Sequence, residues 1–150
     1  MFLKKKSAWE NRIVSPDEVL HKIEPGMNIF IGTGSAEPRT LVNCLMKSKE
    51  GMLQDLTLIQ LVSFGDAISY NALKSRKFRL RTFFSGWVSR EAISAGRVDL
   101  VPSRFSAIPW LMKAGQIPVN MAFIQVTPPN QAGYCSLGVG GDVARQAMEQ

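Results

Sequence analysis

Short runs of strand-forming apolar residues alternate with amphipathic stretches at least four times along the 150 residues. No other feature constrains the fold as tightly. Residues 27–31 (MNIFI), 56–62 (LTLIQLV), 78–84 (FRLRTFF) and 121–126 (MAFIQV) read as strands. The second is apolar at nearly every position, the pattern of a strand covered on both faces. Helical signals fall between them. Ser15-Pro16-Asp17-Glu18 combines an N-cap, a proline at the first helical position and a Glu three residues after the cap, and Pro25-Gly26 ends that helix. A second helix begins near Pro38, with Leu41, Val42, Leu45 and Met46 on one face, Lys47 and Lys49 near its end and Gly51 as its exit. A short helix is expected through Ile68, Ala72 and Leu73, and another from Glu91 to Ala95, closed by Gly96. Ser103 to Lys113 reads as a helix with Phe105, Ile108, Leu111 and Met112 inward. Pro109 inside it predicts a kink or a late start. Asp142 caps a last helix that the sequence leaves unfinished. Strands that alternate with helices imply a single α/β domain over 1–150: an open, mostly parallel sheet with helices on both faces and right-handed crossovers.

In such sheets ligands bind beyond the carboxyl ends of the strands. The expected turns at that edge are Gly32 to Ser35, Ser63 to Asp66, Ser85-Gly86 and Thr127 to Gly133, each with Gly, Ser, Thr, Asn or Asp. Their agreement predicts a site for a polar ligand. In IFIGTGSAEP, residues 29–38, a strand breaks into a glycine turn before a helix, an arrangement able to present backbone N–H groups. The turn is not a dinucleotide fingerprint, since Glu37 stands at the third glycine position, and no GK[ST] follows to make a P-loop. A plainer reading, that the glycines only make a tight turn, stands beside the ligand reading. Glu37, next to a helix start, complements the helix dipole more readily than it serves as a catalytic acid. In FFSGW, residues 83–87, Ser85 and Gly86 are placed to line a pocket, whereas the aromatics suit a core. Arg90, Arg97 and Arg104 are candidate clamps for phosphate or carboxylate.

Several function classes are excluded by composition. With 45% hydrophobic and 20% charged residues the chain is globular. The net charge of +6 is spread out, its densest runs being Lys4-Lys5-Lys6 and residues 74–81 (KSRKFRLR). That distribution argues against nucleic acid as a partner and suits a small polyanion such as a nucleotide phosphate. No apolar run approaches a membrane span, and no secretory signal stands at the start, so no membrane partner and a cytoplasmic location are expected. Cys44 and Cys135 are far apart and read as reduced thiols. His21 is the only histidine, which leaves no zinc site and no Ser-His-Asp triad.

The most specific segment is residues 122–138, AFIQVTPPNQAGYCSLG, where periodicity explains neither Pro128-Pro129 nor the run Gly133 to Gly138. On this segment, on Gly32 to Pro38, and on Phe83 to Gly86, Arg90, Gly96-Arg97, Pro102 and Ile108-Pro109, the chain resembles the N-terminal half of the acetyl-CoA hydrolase/transferase family. That family includes 4-hydroxybutyrate and acetate CoA-transferases. Many relatives carry Asp-Glu-His where this chain has Asn130-Gln131-Ala132.

The resemblance implies a CoA-transferase-type half, whose sheet topology is shared with sugar-phosphate isomerases, and CoA transfer between carboxylic acids through a glutamyl-CoA intermediate. It further implies that the nucleophilic Glu lies in a C-terminal half not among these residues, so that the 150-residue chain alone would be inactive. Coenzyme A would be a substrate, with no permanently bound cofactor. Partners would be an acyl-CoA, a small carboxylic acid and the C-terminal half, in cis or in trans, with a homo-oligomer as the expected assembly. Substrate-facing residues would be Gly32, Thr33, Gly34, Ser35, Glu37, Pro38, Gly86, Pro128, Pro129 and Gly133; catalytic residues and metal ligands would be none. Acetyl-CoA hydrolysis and a non-catalytic acyl-CoA-binding or regulatory module are the alternatives. A sugar-phosphate isomerase activity has no acid–lysine cluster after a strand to support it.

Overall fold

Ser15 opens the first helix, α1 (Pro16–Leu20), through the full reciprocal cap: its hydroxyl accepts from the Glu18 N–H, and the Glu18 carboxylate accepts from the Ser15 N–H. The structure is a computed structural model and describes residues 9–49, 51–62, 68, 77–85, 92–96 and 98–150. After α1 come strand β1 (Asn28–Ile31), helix α2 (Arg39–Lys47), β2 (Leu56–Gln60), β3 (Phe78–Thr82), β4 (Val98–Leu100), helix α3 (Ile108–Lys113), β5 (Met121–Phe123) and helix α4 (Ala144–Met148). The strands form one sheet, ordered β4-β3-β2-β1-β5, with every pair parallel.

Successive side chains in a strand face opposite ways, and two cores result. Ile29, Ile31, Leu56, Leu58 and Leu80 pack with Leu20, Val42 and Leu45 of α1 and α2 on one face. Phe30, Ile59 and Leu61 pack with Ile108, Met112, Ala144 and Ala147 of α3 and α4 on the other. Helices on both faces of a parallel sheet are therefore observed, and the near-continuous apolar run of β2 has its cause.

Three of the four expected strands are trimmed at their carboxyl ends, whereas β1 ends at Ile31 as expected. Residues 61–62, 83–84 and 124–126 leave the ladder and become the exits that line that edge. β4 has no counterpart among the expected strands. Its three residues have no apolar run; they pair with β3 at Leu80, Arg81 and Thr82, and Arg81 and Asp99, opposite each other in that ladder, form an ion pair of 2.7 Å. Pro109 gives a late start, with a 3-10 turn (Phe105–Ala107) leading into α3. Ile108 and Met112 point inward as expected, but Phe105 does not: it is 51% exposed and stacks on Phe84, with ring centroids 6.4 Å apart. Because α3 begins only at Ile108, Phe105 is off the face that the helical period assigns to it. Asp142 caps α4 from two residues ahead, its carboxylate accepting from the Ala144 N–H at 3.0 Å. The expected helix through Ala72 and Leu73 lies outside the described residues, as do Glu91 and Lys4 to Lys6; Ile68 is described and fully buried in the first core. Among the described residues no helix is long and apolar enough to cross a membrane.

Candidate functional site at the β1–β5 switch point

Sequence order and sheet order part company at β1. The chain lays down β2, β3 and β4 successively to one side of β1, then returns to place β5 on the other. Connections leave β1 and β5 in opposite directions, and a crevice opens between them at the carboxyl edge. The glycine turn after β1 and the stretch after β5 form its walls.

Both ends of the turn are fixed by backbone hydrogen bonds. The Gly32 N–H donates to the Phe123 carbonyl at 2.8 Å, and the Gly34 N–H to the Val62 carbonyl at 3.0 Å. A single 3-10 turn (Gly34–Ala36) comes next, with Ala36 N–H on the Thr33 carbonyl and Glu37 N–H on the Gly34 carbonyl. The N–H groups of Gly32, Gly34, Ala36 and Glu37 are thus bonded within the protein. Gly34 has φ +60, which suits glycine. At Gly32 the reason is space: a Cβ there would come within 2.9 Å of the Ala36 carbonyl oxygen. Gly140 packs from outside, where a Cβ would meet the Ala36 Cβ at 2.8 Å.

Below the turn, Gln60 at the end of β2 is 1% exposed and Glu37 is 2% exposed. The Gln60 amide Nε2 donates to the Glu37 carboxyl Oε2 at 2.8 Å and lies 3.5 Å from the Gly32 carbonyl oxygen. Two acceptors on the nitrogen fix the amide orientation. Periodicity marks Gln60 only as one residue of a buried strand. A polar residue inside the run LTLIQLV is the signal that could have found it.

Two clefts flank the segment after β5. One, of about 590 Å³, is lined by Ser35, Glu37, Pro38, Arg39, Thr40, Leu41, Ile124, Gln125 and Val126. It combines the start of α2 with the exit of β5, on the switch point itself. The other, of about 730 Å³, is lined among others by Trp9, Arg12, Ile13, Val126, Pro129, Gly133 and Cys135. Of the expected substrate-facing residues, Ser35, Glu37 and Pro38 meet in the first cleft, and Pro129 and Gly133 in the second. Gly32, Thr33 and Gly34 shape the turn and line neither cleft, nor does Pro128. Gly86 lies outside the described residues, with Trp87, Arg90 and Arg97. Arg104 lines neither cleft, whereas Arg39, which no sequence motif singles out, lines the first.

The proline loop is tied by its own side chains. Thr127 and Ser136 pair across its neck, the Thr127 N–H on the Ser136 carbonyl and the Ser136 N–H on the Thr127 hydroxyl, both at 2.9 Å. At its tip the Asn130 carbonyl Oδ1 accepts from the N–H groups of Ala132 and Tyr134, both at 3.0 Å. Gly133 turns the chain with φ +84. An aspartate at position 130 would accept the same two bonds, so an Asp-to-Asn difference at that position leaves them in place. Among the described residues no group of three or more His, Cys, Asp or Glu is placed to hold a metal ion.

Comparison with known proteins gives a consistent result. The family model described as the acetyl-CoA hydrolase/transferase N-terminal domain matches residues 3–150. A 4-hydroxybutyrate coenzyme A transferase of Clostridium kluyveri is 33% identical over 141 residues, 94% of this chain and 33% of that protein. A succinyl-CoA:acetate/propanoyl-CoA:succinate CoA transferase of Fasciola hepatica is 35% identical, over 89% of this chain and 28% of that protein. The crystal structure of RipA from Yersinia pestis superposes with a TM-score of 0.76 at 26% identity, covering 89% of this chain and 33% of that one. The chain spans about a third of the length of these relatives.

Proposed function

The chain belongs to the acetyl-CoA hydrolase/transferase N-terminal domain family, and from that premise we propose that it forms one wall of the active site of an acyl-CoA:carboxylate CoA-transferase. The observation that carries this reading is the cleft at the switch point, where Ser35, Glu37, Pro38, Arg39, Thr40 and Gln125 meet. It takes the acyl or acceptor-acid end of the substrates. Ser35 and Thr40 bring hydroxyls, Gln125 an amide and Arg39 a guanidinium, a donor set suited to carboxylate oxygens. The turn through Gly32 and Gly34 sets the cleft wall rather than touching the acid.

The chemistry proposed for the complete site is covalent catalysis by a glutamate contributed from outside these 150 residues. Its carboxylate attacks the thioester carbonyl and expels CoA thiolate, giving an acyl-glutamyl anhydride. The thiolate then attacks the glutamyl carbonyl, releasing the first acid and leaving a glutamyl-CoA thioester. The acceptor carboxylate attacks that thioester, and the expelled thiolate returns to the acceptor carbonyl, which regenerates the glutamate. Glu37 is not assigned the nucleophile's part, because it is buried beneath the turn and hydrogen-bonded to Gln60. Acetyl-CoA hydrolysis would share the same first steps, with water in place of the acceptor.

The test is label exchange between acetyl-CoA and labelled acetate, run on the 150-residue chain with and without the C-terminal portion of a family member added in trans. No exchange from the folded chain alone, and exchange on addition, is the expected result. Exchange by the chain alone would overturn the assignment of the nucleophile to another segment. No exchange from a demonstrated complex would favour a binding module.

A further inference from the structure

Arg39 is the first residue of α2 and an exposed cation in the wall of the switch-point cleft. Its backbone is held, since its N–H donates to the Glu37 carbonyl at 2.8 Å. Arg79, Arg81 and Arg145 each have a carboxylate partner, Asp55 at 3.0 Å, Asp99 at 2.7 Å and Glu149 at 2.9 Å. Arg39 has no ion-pair partner among the described residues. Arg12 and Arg104 share that property but do not line this cleft. Nothing in the first turn of α2 competes for the guanidinium either: it holds no acidic residue, and Pro38 supplies no side-chain cap.

The cleft is also ordered from inside to outside. Glu37, almost fully buried at the inner end, offers carboxyl oxygens already receiving one amide hydrogen bond. Arg39, exposed at the mouth, offers donors in a planar fork, flanked by the hydroxyls of Ser35 and Thr40. An anion therefore has one favourable place in the cleft, at its mouth, and the uncharged part of a ligand has the interior.

We propose that Arg39 reads an anionic group at the mouth of this cleft, set apart from the reacting carboxyl: the second carboxylate of a dicarboxylic acyl or acceptor acid, or a phosphate of CoA. Arg39 is then a specificity-determining residue. This rests on the reading of the cleft as the substrate site, and it adds that the preferred substrate is charged at a second position.

The test is calorimetric titration of the 150-residue chain with acetate, succinate, CoA and 3′-dephospho-CoA, at low and at high salt. Succinate is expected to bind more tightly than acetate, and the difference to vanish in Arg39→Gln. For an exposed pair the loss is about threefold to fivefold, shrinking further with salt. If the anion is instead a phosphate, the same variant weakens CoA more than 3′-dephospho-CoA and leaves succinate unchanged. Arg104→Gln, an exposed arginine outside the cleft, should change neither. Circular dichroism melts matching the parent chain establish that the variants fold, and Arg39→Lys, which keeps the charge without the fork, should restore part of the preference.

Equal binding of succinate and of CoA by the parent chain and Arg39→Gln would overturn the inference, as would no binding of any probe by the parent chain. The two proposals fail separately. Label exchange that proceeds unaltered by Arg39→Gln with both mono- and dicarboxylic acids sinks this one alone. An Arg39-dependent anion preference without exchange in the complex sinks CoA transfer alone.

Discussion

At the scale of single residues the site is decided by space and by one buried amide. Gly32 has the Ala36 carbonyl oxygen 2.9 Å from where its Cβ would be, and backbone cannot step aside as a flexible side chain can. Gly32→Ala should therefore cost about 1–3 kcal/mol, read in a urea melt. Gly51→Ala, where a Cβ meets nothing within 4 Å, should be neutral or stabilise by up to about 1 kcal/mol. Equal effects at the two positions would show that the turn is not close-packed. Gln60 carries a different kind of cost. Gln60→Leu keeps the volume but removes the donor to Glu37 and places apolar carbon against its buried carboxyl. A loss of about 1–3 kcal/mol is expected, with Gln60→Ala at least as damaging because it adds a cavity. An unchanged melting temperature for Gln60→Leu would mean that the hydrogen bond contributes nothing net.

At the scale of elements, local chemistry and tertiary partners divide the structure between them. The α1 cap was legible because Ser15, Pro16 and Glu18 satisfy each other within one turn. β1 and β2 were legible because burial on both faces leaves apolar runs, and β3 because buried and exposed residues alternate along it. The illegible elements depend on distant residues. β4 pairs in parallel with β3, with Val98 against the first core and Asp99 on Arg81, contacts across 18 positions that no period records. Phe105 sits outward because α3 starts five residues late, at Ile108. The site shows the same division. Ser35, Glu37 and Pro38 were found through the glycine turn, whereas Arg39 and Gln60 acquire their meaning only when the sheet brings β2 and β5 beside α2. The proline loop gives a prediction at this scale. Asn130→Asp should leave the exchange of the Ala132 and Tyr134 amide hydrogens nearly as slow as in the parent chain, and Asn130→Ala should speed both by up to about tenfold. Exchange unaffected by Asn130→Ala would locate the loop's rigidity in its proline pair.

For the molecule as a whole the governing fact is one sheet shared by two cores. Leu58 and Ile59 are neighbours in β2, both fully buried, and face opposite sides. Truncating either to alanine should cost about 2–5 kcal/mol. Both variants should still unfold in a single transition, since neither core can dissolve while leaving the strands between them paired. Two separate transitions in either variant, by circular dichroism and tryptophan fluorescence together, would show that the faces are independent. Apolar side chains remain outside both cores, with Val139 83%, Tyr134 75% and Ile13 67% exposed.

The position of β1 sets a timetable. Among the described residues β1 is the first strand, and its pairing with β2 requires only the next thirty or so residues of chain. Its other edge waits until residue 121 arrives, about ninety positions later. Through that interval the strand presents open backbone groups, and the cleft has a single wall. Asn120 closes the gap: its side-chain oxygen accepts from the Asn28 N–H at 2.8 Å as β5 comes alongside. The switch-point cleft is thus completed only when residues 124–126 arrive, and a chain interrupted before residue 121 would hold most of the sheet and one wall of the cleft.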